Sequence, residues 1–108
     1  MLMQREHKIL LYDFYGALLT DRQRDVFTMH HMEDCSLAEV GETLGITPQA
    51  VSDMLRRTMQ QLYKYEDKLR LAERHQAQKV IIQRLYTALD ALGTPVNDIK
   101  SMINELLR

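Results

Sequence analysis

Residues 36–58, SLAEVGETLGITPQAVSDMLRRT, contain the patterns that end one helix and begin another within four positions. Gly45 is the residue type most often found in the left-handed conformation that ends a helix. Thr47 can cap a following helix, and Pro48 suits its first position, where a missing amide hydrogen costs nothing. The chain is therefore predicted to form two helices that meet at a tight corner.

The residues around this corner favour close packing of the two helices. Ser36 and Glu39 have the spacing of a capping box, which opens the first helix. Gly41 leaves room for the second helix to cross closely, and Ile46 and Val51 supply apolar contacts at the corner. These features are typical of a helix-turn-helix, whose second helix lies in the major groove of DNA. The residues predicted to build the motif are Ser36, Glu39, Gly41, Gly45, Ile46, Thr47 and Val51.

The rest of the chain is also predicted to be helical, so the fold class is all-α. Only four Gly and two Pro occur among 108 residues, and the common residue types are good helix formers. Helices are predicted over about 6–19 and 21–31, and Thr20 and Gln23 give the second of these a capping box.

The helix that begins at Pro48 has no obvious end. No Gly or Pro occurs between Pro48 and Gly93. Either the chain bends somewhere within 64–78, or a long helix projects and meets a partner. Gly93 is predicted to end that segment, with Thr94 capping a final helix and Pro95 starting it.

The chain is predicted to have three parts. Residues 1–19 form a helix that packs on the core or on a dimer partner, 20–63 form the helix-turn-helix domain, and 64–108 form a helical extension for oligomerisation. The apolar stripes of 80–92 and 96–107 exceed what a small three-helix core can cover. Because helix-turn-helix proteins usually bind two half-sites as dimers, a homodimer is expected.

The formal net charge of -1 conceals an uneven distribution. Residues 1–46 contain four basic and eight acidic side chains, whereas residues 47–84 contain eight basic and four acidic ones. Residues 85–108 are close to balanced. The basic stretch is either a surface that attracts a polyanion or a solvated helix face.

The second helix of the motif is predicted to expose six side chains that contact nucleic acid: Gln49, Ser52, Asp53, Arg56, Arg57 and Lys64. Gln49 can pair with adenine and Arg56 with guanine, and Asp53 can accept from cytosine. Arg57 and Lys64 suit phosphates. The negative charge of Asp53 opposes the DNA backbone.

Residues 19–62, LTDRQRDVFTMHHMEDCSLAEVGETLGITPQAVSDMLRRTMQQL, resemble region 4 of bacterial sigma factors. Gly41 stands where sigma factors often have Ala, and Ser52 and Asp53 replace more basic or amide residues. The flanking sequences LYDFYGALLTDRQ and YKYEDKLRL closely resemble the YlxM family, across most of the chain.

The YlxM resemblance implies a small bacterial helix-turn-helix protein whose gene neighbours those of the signal recognition particle GTPases. It therefore implies a regulatory or accessory role in that targeting pathway, with the particle's RNA or GTPase components as partners. The resemblance brings no catalytic residues, and no carboxylate pair in the sequence marks a catalytic pocket, so an enzyme is not expected.

Metal binding is not expected, although His30, His31, Glu33 and Cys35 are close in sequence. Adjacent histidines on a helix point about 100° apart, and no second cluster completes a tetrahedral site. His30 is expected to be half-buried, His31 exposed and Cys35 an unreactive thiol. No cofactor is expected. The single cysteine and the lack of a membrane span agree with a cytoplasmic protein.

Two hypotheses for function follow. In the first, a DNA-binding regulatory protein of the signal recognition particle pathway binds nucleic acid through the helix that begins at Thr47. In the second, the chain is an accessory factor that binds protein, or binds RNA through the basic run Arg56–Arg84.

Overall fold

The computed structural model describes residues 5–92 and 96–106, and within these ranges every regular element is helical, as predicted. The expected features at Gly93, Thr94 and Pro95 lie outside the described residues. The α-helices are α1 (Arg5–Tyr15), α2 (Asp21–Phe27), α3 (Leu37–Leu44), α4 (Pro48–Leu69), α5 (Leu71–Asp90) and α6 (Asn97–Glu105). A 3₁₀ turn spans Gly16–Leu18, and a π-helical turn spans Thr28–Met32. The chain divides into two compact units, Met1–Arg70 and Leu71–Arg108.

The first two helices are shorter than the sequence predicts. After Tyr15 the backbone tightens into the 3₁₀ turn, which is followed by the buried Leu19. After Phe27 the backbone widens instead, and the amide of Glu33 donates to the carbonyl of Thr28 at 3.0 Å. This five-residue spacing defines the π turn that carries His30 and His31.

Both capping boxes are present in the structure. The amide of Gln23 donates to Thr20 Oγ1 at 3.2 Å, and the amide of Thr20 donates to Gln23 Oε1 at 2.9 Å. Ser36 and Glu39 form the same pair of hydrogen bonds, each at 3.0 Å. The hydrogen bonds from Ser36 lower the pKa of Glu39, because they favour its charged form. Helices α2 and α3 therefore begin where their capping boxes specify.

Helix α4 ends inside the window predicted for a bend. It runs without interruption from Pro48 to Leu69, and Arg70 then adopts a left-handed conformation with φ of 57°. A non-glycine residue in this conformation costs about 1–2 kcal/mol. The break therefore separates α4 from α5 at a single residue. The predicted boundary between the helix-turn-helix domain (20–63) and the helical extension (64–108) falls within α4, and this division stays a prediction.

The core of the first unit lies between α4 and the three preceding helices. At its centre are four residues that are 8% exposed or less, with six partly buried apolar residues packed against them. A second layer includes the fully buried Leu11 and Phe27, and the Phe27 ring stacks on Tyr12 with 4.5 Å between centroids. The central residues are Val26, Val40, Val51 and Leu55, and those packed around them are Met29, Cys35, Leu37, Leu44, Ile46 and Met54.

In the second unit, polar contacts join α5 to α6. The Tyr86 hydroxyl donates to the Lys100 carbonyl at 3.2 Å, and Lys100 Nζ donates to Asp90 Oδ1 at 2.6 Å. Much of the apolar surface of this unit is exposed: Val80, Ile81, Leu85, Leu92, Ile99, Met102 and Leu106. Within the described ranges, no helix has the length and hydropathy needed to cross a membrane.

Candidate nucleic-acid interface

The turn between α3 and α4 depends on two glycines. Gly45 has φ of 73°, a left-handed conformation that other residues adopt only with strain. The amide of Ile46 donates to the Gly41 carbonyl at 2.9 Å. A Cβ atom on Gly41 would lie 2.5 Å from the Ile46 carbonyl oxygen, so the turn passes α3 too closely for a larger residue unless the backbone shifts. Thr47 then caps α4 by accepting from the amide of Ala50 at 3.1 Å.

This turn leaves one face of the N-terminal half of α4 open. Gln49 and Arg56 are exposed, whereas Ser52 and Asp53 are half-buried. At about 100° per residue, these four side chains lie within about 100° of each other around the helix. Arg57 and Lys64 are also exposed, on one flank of the same face. The structure therefore places the six predicted contact residues on a continuous surface of α4.

Asp53 forms an ion pair with Arg56 one turn along the helix. Arg56 Nη2 lies 3.8 Å from Asp53 Oδ1, and the two side chains are 58% and 49% exposed. An exposed pair of this kind contributes at most about 1 kcal/mol. Arg56 can therefore leave Asp53 for a base or a phosphate at small cost, and the Asp53 charge is balanced locally when no nucleic acid is bound.

A groove lies on the other flank of α4, and sequence analysis did not predict it. We call it the flanking groove. It joins α1, the π turn and α4, and its polar lining consists of Arg5, Lys8, His30, His31, Asp34, Ser36, Ser52 and Arg56. The sequence pointed to a basic surface only after Thr47, whereas here α1 adds two cations. Their spacing of three residues on α1 was the one available clue.

His31 is half-buried, so the expectation that it is exposed was wrong. The wide π turn places its ring 4.7 Å from the Phe27 ring, between centroids. Burial lowers its pKa from 6.5 to about 4, and repulsion from His30, Lys8 and Arg5 adds to this effect. His30 is half-buried, as predicted, and its Nδ1 donates to the Cys35 carbonyl at 2.9 Å.

The structure places His30, His31, Glu33 and Cys35 around the π turn and the loop that follows it. Within residues 5–92 and 96–106, no group of three or more His, Cys, Asp or Glu side chains could hold a metal ion. The Cys35 pKa is raised by burial and by the nearby carboxylates of Glu39 and Glu33. A raised pKa keeps this thiol protonated and therefore a poor nucleophile.

The His31 pKa predicts a loss of stability in acid. Because the folded pKa lies below the unfolded value of 6.5, neutral His31 stabilises the fold above pH 6.5. This contribution is lost as the pH falls from 6.5 to about 4. Since His31 is partly solvated, we expect a loss of about 1 kcal/mol rather than the full value of the shift.

Urea unfolding at pH 7 and pH 4.5 measures this contribution. We expect His31→Gln to lose about 1 kcal/mol less than the wild type between the two pH values. His7→Gln, at an exposed histidine of α1, is the matched control and should follow the wild type. Equal losses for His31→Gln and the wild type would contradict the assignment.

A short helix, a left-handed glycine turn and a longer helix with an open polar face define this chain as a helix-turn-helix protein. It belongs to the UPF0122 family, described as "Putative helix-turn-helix protein, YlxM / p13 like", whose profile matches residues 2–102. The predicted membership of the YlxM-like family is thereby confirmed.

Several relatives are similar over much of the chain. A UPF0122 protein of Caldanaerobacter subterraneus subsp. tengcongensis is 49% identical over 76 residues, which cover 70% of this chain and 65% of that protein. One from Thermoanaerobacter sp. is 41% identical over 101 residues, or 92% of this chain and 86% of the relative. One from Geobacillus kaustophilus is 36% identical over 96 residues, or 89% and 87%.

Proposed function

We propose that this protein is a DNA-binding regulatory protein that places the N-terminal half of α4 in the major groove. The observation that carries the proposal is the polar face of α4 beside the glycine turn, where Gln49 and Arg56 are exposed and Ser52 and Asp53 are half-buried. Gln49 and Arg56 suit adenine and guanine, and Ser52 accepts either partner. Asp53 either accepts from cytosine or orients Arg56 through their ion pair.

The phosphates would be held by side chains at the edges of this face. Arg57 and Lys64 are exposed on one flank of α4, beside the face that carries Gln49 and Arg56. Such contacts fix the protein on the duplex without reading its sequence. The net charge of -1 does not oppose this arrangement, because a local group of cations can attract a polyanion, and Arg56, Arg57 and Lys64 are all exposed on α4.

Selection of bound duplexes from a random-sequence DNA library tests the proposal, followed by titrations of the selected duplex at several salt concentrations. We expect an enriched motif and an affinity that falls steeply with salt, with a log–log slope of about -0.9 for each phosphate contacted. A hairpin RNA of equal length is the comparison. Failure to bind any duplex at low salt would refute the proposal, and preference for the RNA would favour the RNA-binding hypothesis.

The link to the signal recognition particle and the cytoplasmic location stay predictions, which derive from the family resemblance and from the sequence. No contact within residues 5–92 and 96–106 bears on either of them. The same duplex and RNA titrations address the first, since the particle's RNA can serve as the RNA probe.

We also propose that the chain forms a homodimer through the second unit. Three apolar residues of α5, two of α6 and Leu106 directly after α6 are between 43% and 80% exposed, and this much exposed apolar surface is typical of an interaction site. A second copy would cover this surface, and helix-turn-helix proteins commonly bind two half-sites as dimers. The six residues are Val80, Ile81, Leu85, Ile99, Met102 and Leu106.

Light scattering after size-exclusion chromatography tests the dimer. We expect twice the mass of one chain for the wild type, and a single-chain mass for the double variant Ile81→Gln and Met102→Gln. The control is Gln83→Ala with Ser101→Ala, at exposed polar positions of the same helices. A wild-type protein with the mass of one chain at high concentration would refute the proposal.

A further inference from the structure

We propose that the flanking groove binds a phosphodiester group of the nucleic acid backbone, held by Lys8 and the His30–His31 pair, beside Arg56 of α4. This inference rests on the proposed function, because the duplex bound at α4 supplies the phosphate. It adds a contact from α1 and the π turn, which lie outside the helix-turn-helix motif itself.

The distances between charged groups show a surplus of positive charge in the groove. Arg5 is paired with Asp34 at 3.2 Å, and Arg56 is paired with Asp53 at 3.8 Å. Lys8 has no ion-pair partner within the described part of the chain. The groove therefore holds a cation that no carboxylate neutralises, and its one lining carboxylate is already occupied.

The pKa of His31 also reflects the surplus of positive charge in the groove. Its pKa is lowered first by burial and then by the positive charges of His30, Lys8 and Arg5. The other charged groups of the lining are Asp34 in the following loop and Arg56 on α4. The His31 pKa is lowered even though the Asp34 carboxylate lies in the same lining. A phosphate in the groove would favour the protonated imidazole and raise this pKa.

The hydrogen bond of His30 prepares that ring for an anion. A carbonyl oxygen can only accept, so His30 Nδ1 must carry the proton that it donates to Cys35. This contact fixes the orientation of the ring, which lines the groove beside Lys8. The hydroxyl of Ser52 is a further donor in the lining.

The position of the groove beside α4 indicates why a backbone phosphate is the ligand. A helix about 10–12 Å across fills a major groove about 12 Å wide, so the two DNA backbones run along the two flanks of the helix. Arg57 and Lys64 lie on one flank, whereas Ser52 and Arg56 border the flanking groove on the other. One DNA strand would then contact Arg57 and Lys64, and the other would contact the cations of the flanking groove.

Lys8→Gln tests the inference in duplex titrations. We expect binding to weaken about 5-fold at 0.1 M salt, equally for all sequences, and the salt slope to fall by about 1. Lys68→Gln is the matched control: it removes the same charge from the last turn of α4, away from the groove, and should leave the slope unchanged. Circular dichroism checks that both variants fold.

Nuclear magnetic resonance of the His31 ring supplies a second readout. We expect duplex DNA, or inorganic phosphate alone, to raise the His31 pKa from about 4 toward 6.5 in the wild type, and by much less in Lys8→Gln. If the duplex binds but neither the Lys8→Gln slope nor the His31 pKa changes, the inference is wrong and the proposed function stands. If no duplex binds, the proposed function fails. In that case the titration with inorganic phosphate tests whether the flanking groove binds an anion. A raised His31 pKa supports an anion site there, and an unchanged pKa refutes it.

Discussion

Gly41→Val is expected to lower the free energy of unfolding of the first unit by about 2–4 kcal/mol. The physical reason is the approach of α3 to the turn, since the new Cβ would lie 2.5 Å from the Ile46 carbonyl oxygen and 3.4 Å from Pro48 N. These atoms belong to the backbone and cannot rotate away. Relief of the clash requires the corner to open, which weakens the packing of Val40 and Val51 in the core.

Urea unfolding of Gly41→Val measures this effect, and Glu42→Val is its control. The control places the same side chain at the next, exposed position of α3, where only helix propensity changes by a few tenths of a kcal/mol. Gly41→Ala should fall between the two, although alanine is the better helix former. Equal stability of Gly41→Ala and the wild type would show that the corner adjusts to a Cβ atom at this position.

Arg56→Ala is expected to weaken binding to the selected duplex about 10-fold to 100-fold, and to relax the preference at one base pair. Arg56 lies near the centre of the open α4 face, borders the flanking groove and pairs with Asp53 at 3.8 Å. The measurement is a titration of the best duplex and of its single-base variants. The effect on specificity separates a base contact from a phosphate contact.

Arg57→Ala is the matched control for Arg56→Ala. It removes the same side chain one position further along α4, on the flank assigned to phosphates. We expect it to weaken all sequences equally and to lower the salt slope by about 1. If Arg56→Ala also weakens binding to all duplexes equally, Arg56 binds phosphate rather than a base. Gln49 and Ser52 would then be the residues that recognise bases.

The centre of the motif could be predicted from the sequence nearly residue by residue. The bounds of α3, the left-handed Gly45 and the start of α4 at Pro48 all follow from local features: a capping box, a glycine and an N-cap threonine. Each feature acts within four residues of the backbone it shapes, so no knowledge of the tertiary fold is needed.

The flanking groove could not be predicted in this way, because it joins residues that are distant in sequence. Arg5 Nε donates to the His31 carbonyl at 2.8 Å across 26 residues, and Arg56 is a further 25 residues along. The His30–His31 pair could be considered only as a poor metal site, since its cationic neighbours come from α1. The π turn likewise depends on tertiary packing, in which Phe27 stacks on Tyr12.

The division of the chain after Arg70 sets an order of events during synthesis. The central core residues of the first unit lie between Val26 and Val51, with Leu55 following, so its packing partners are all present once α4 has been made. Units of this kind fold as they emerge, with the N-terminal one first. The surface proposed to bind DNA would then form on each nascent chain before the proposed dimer surface exists, and two chains would pair only after each has a folded α4.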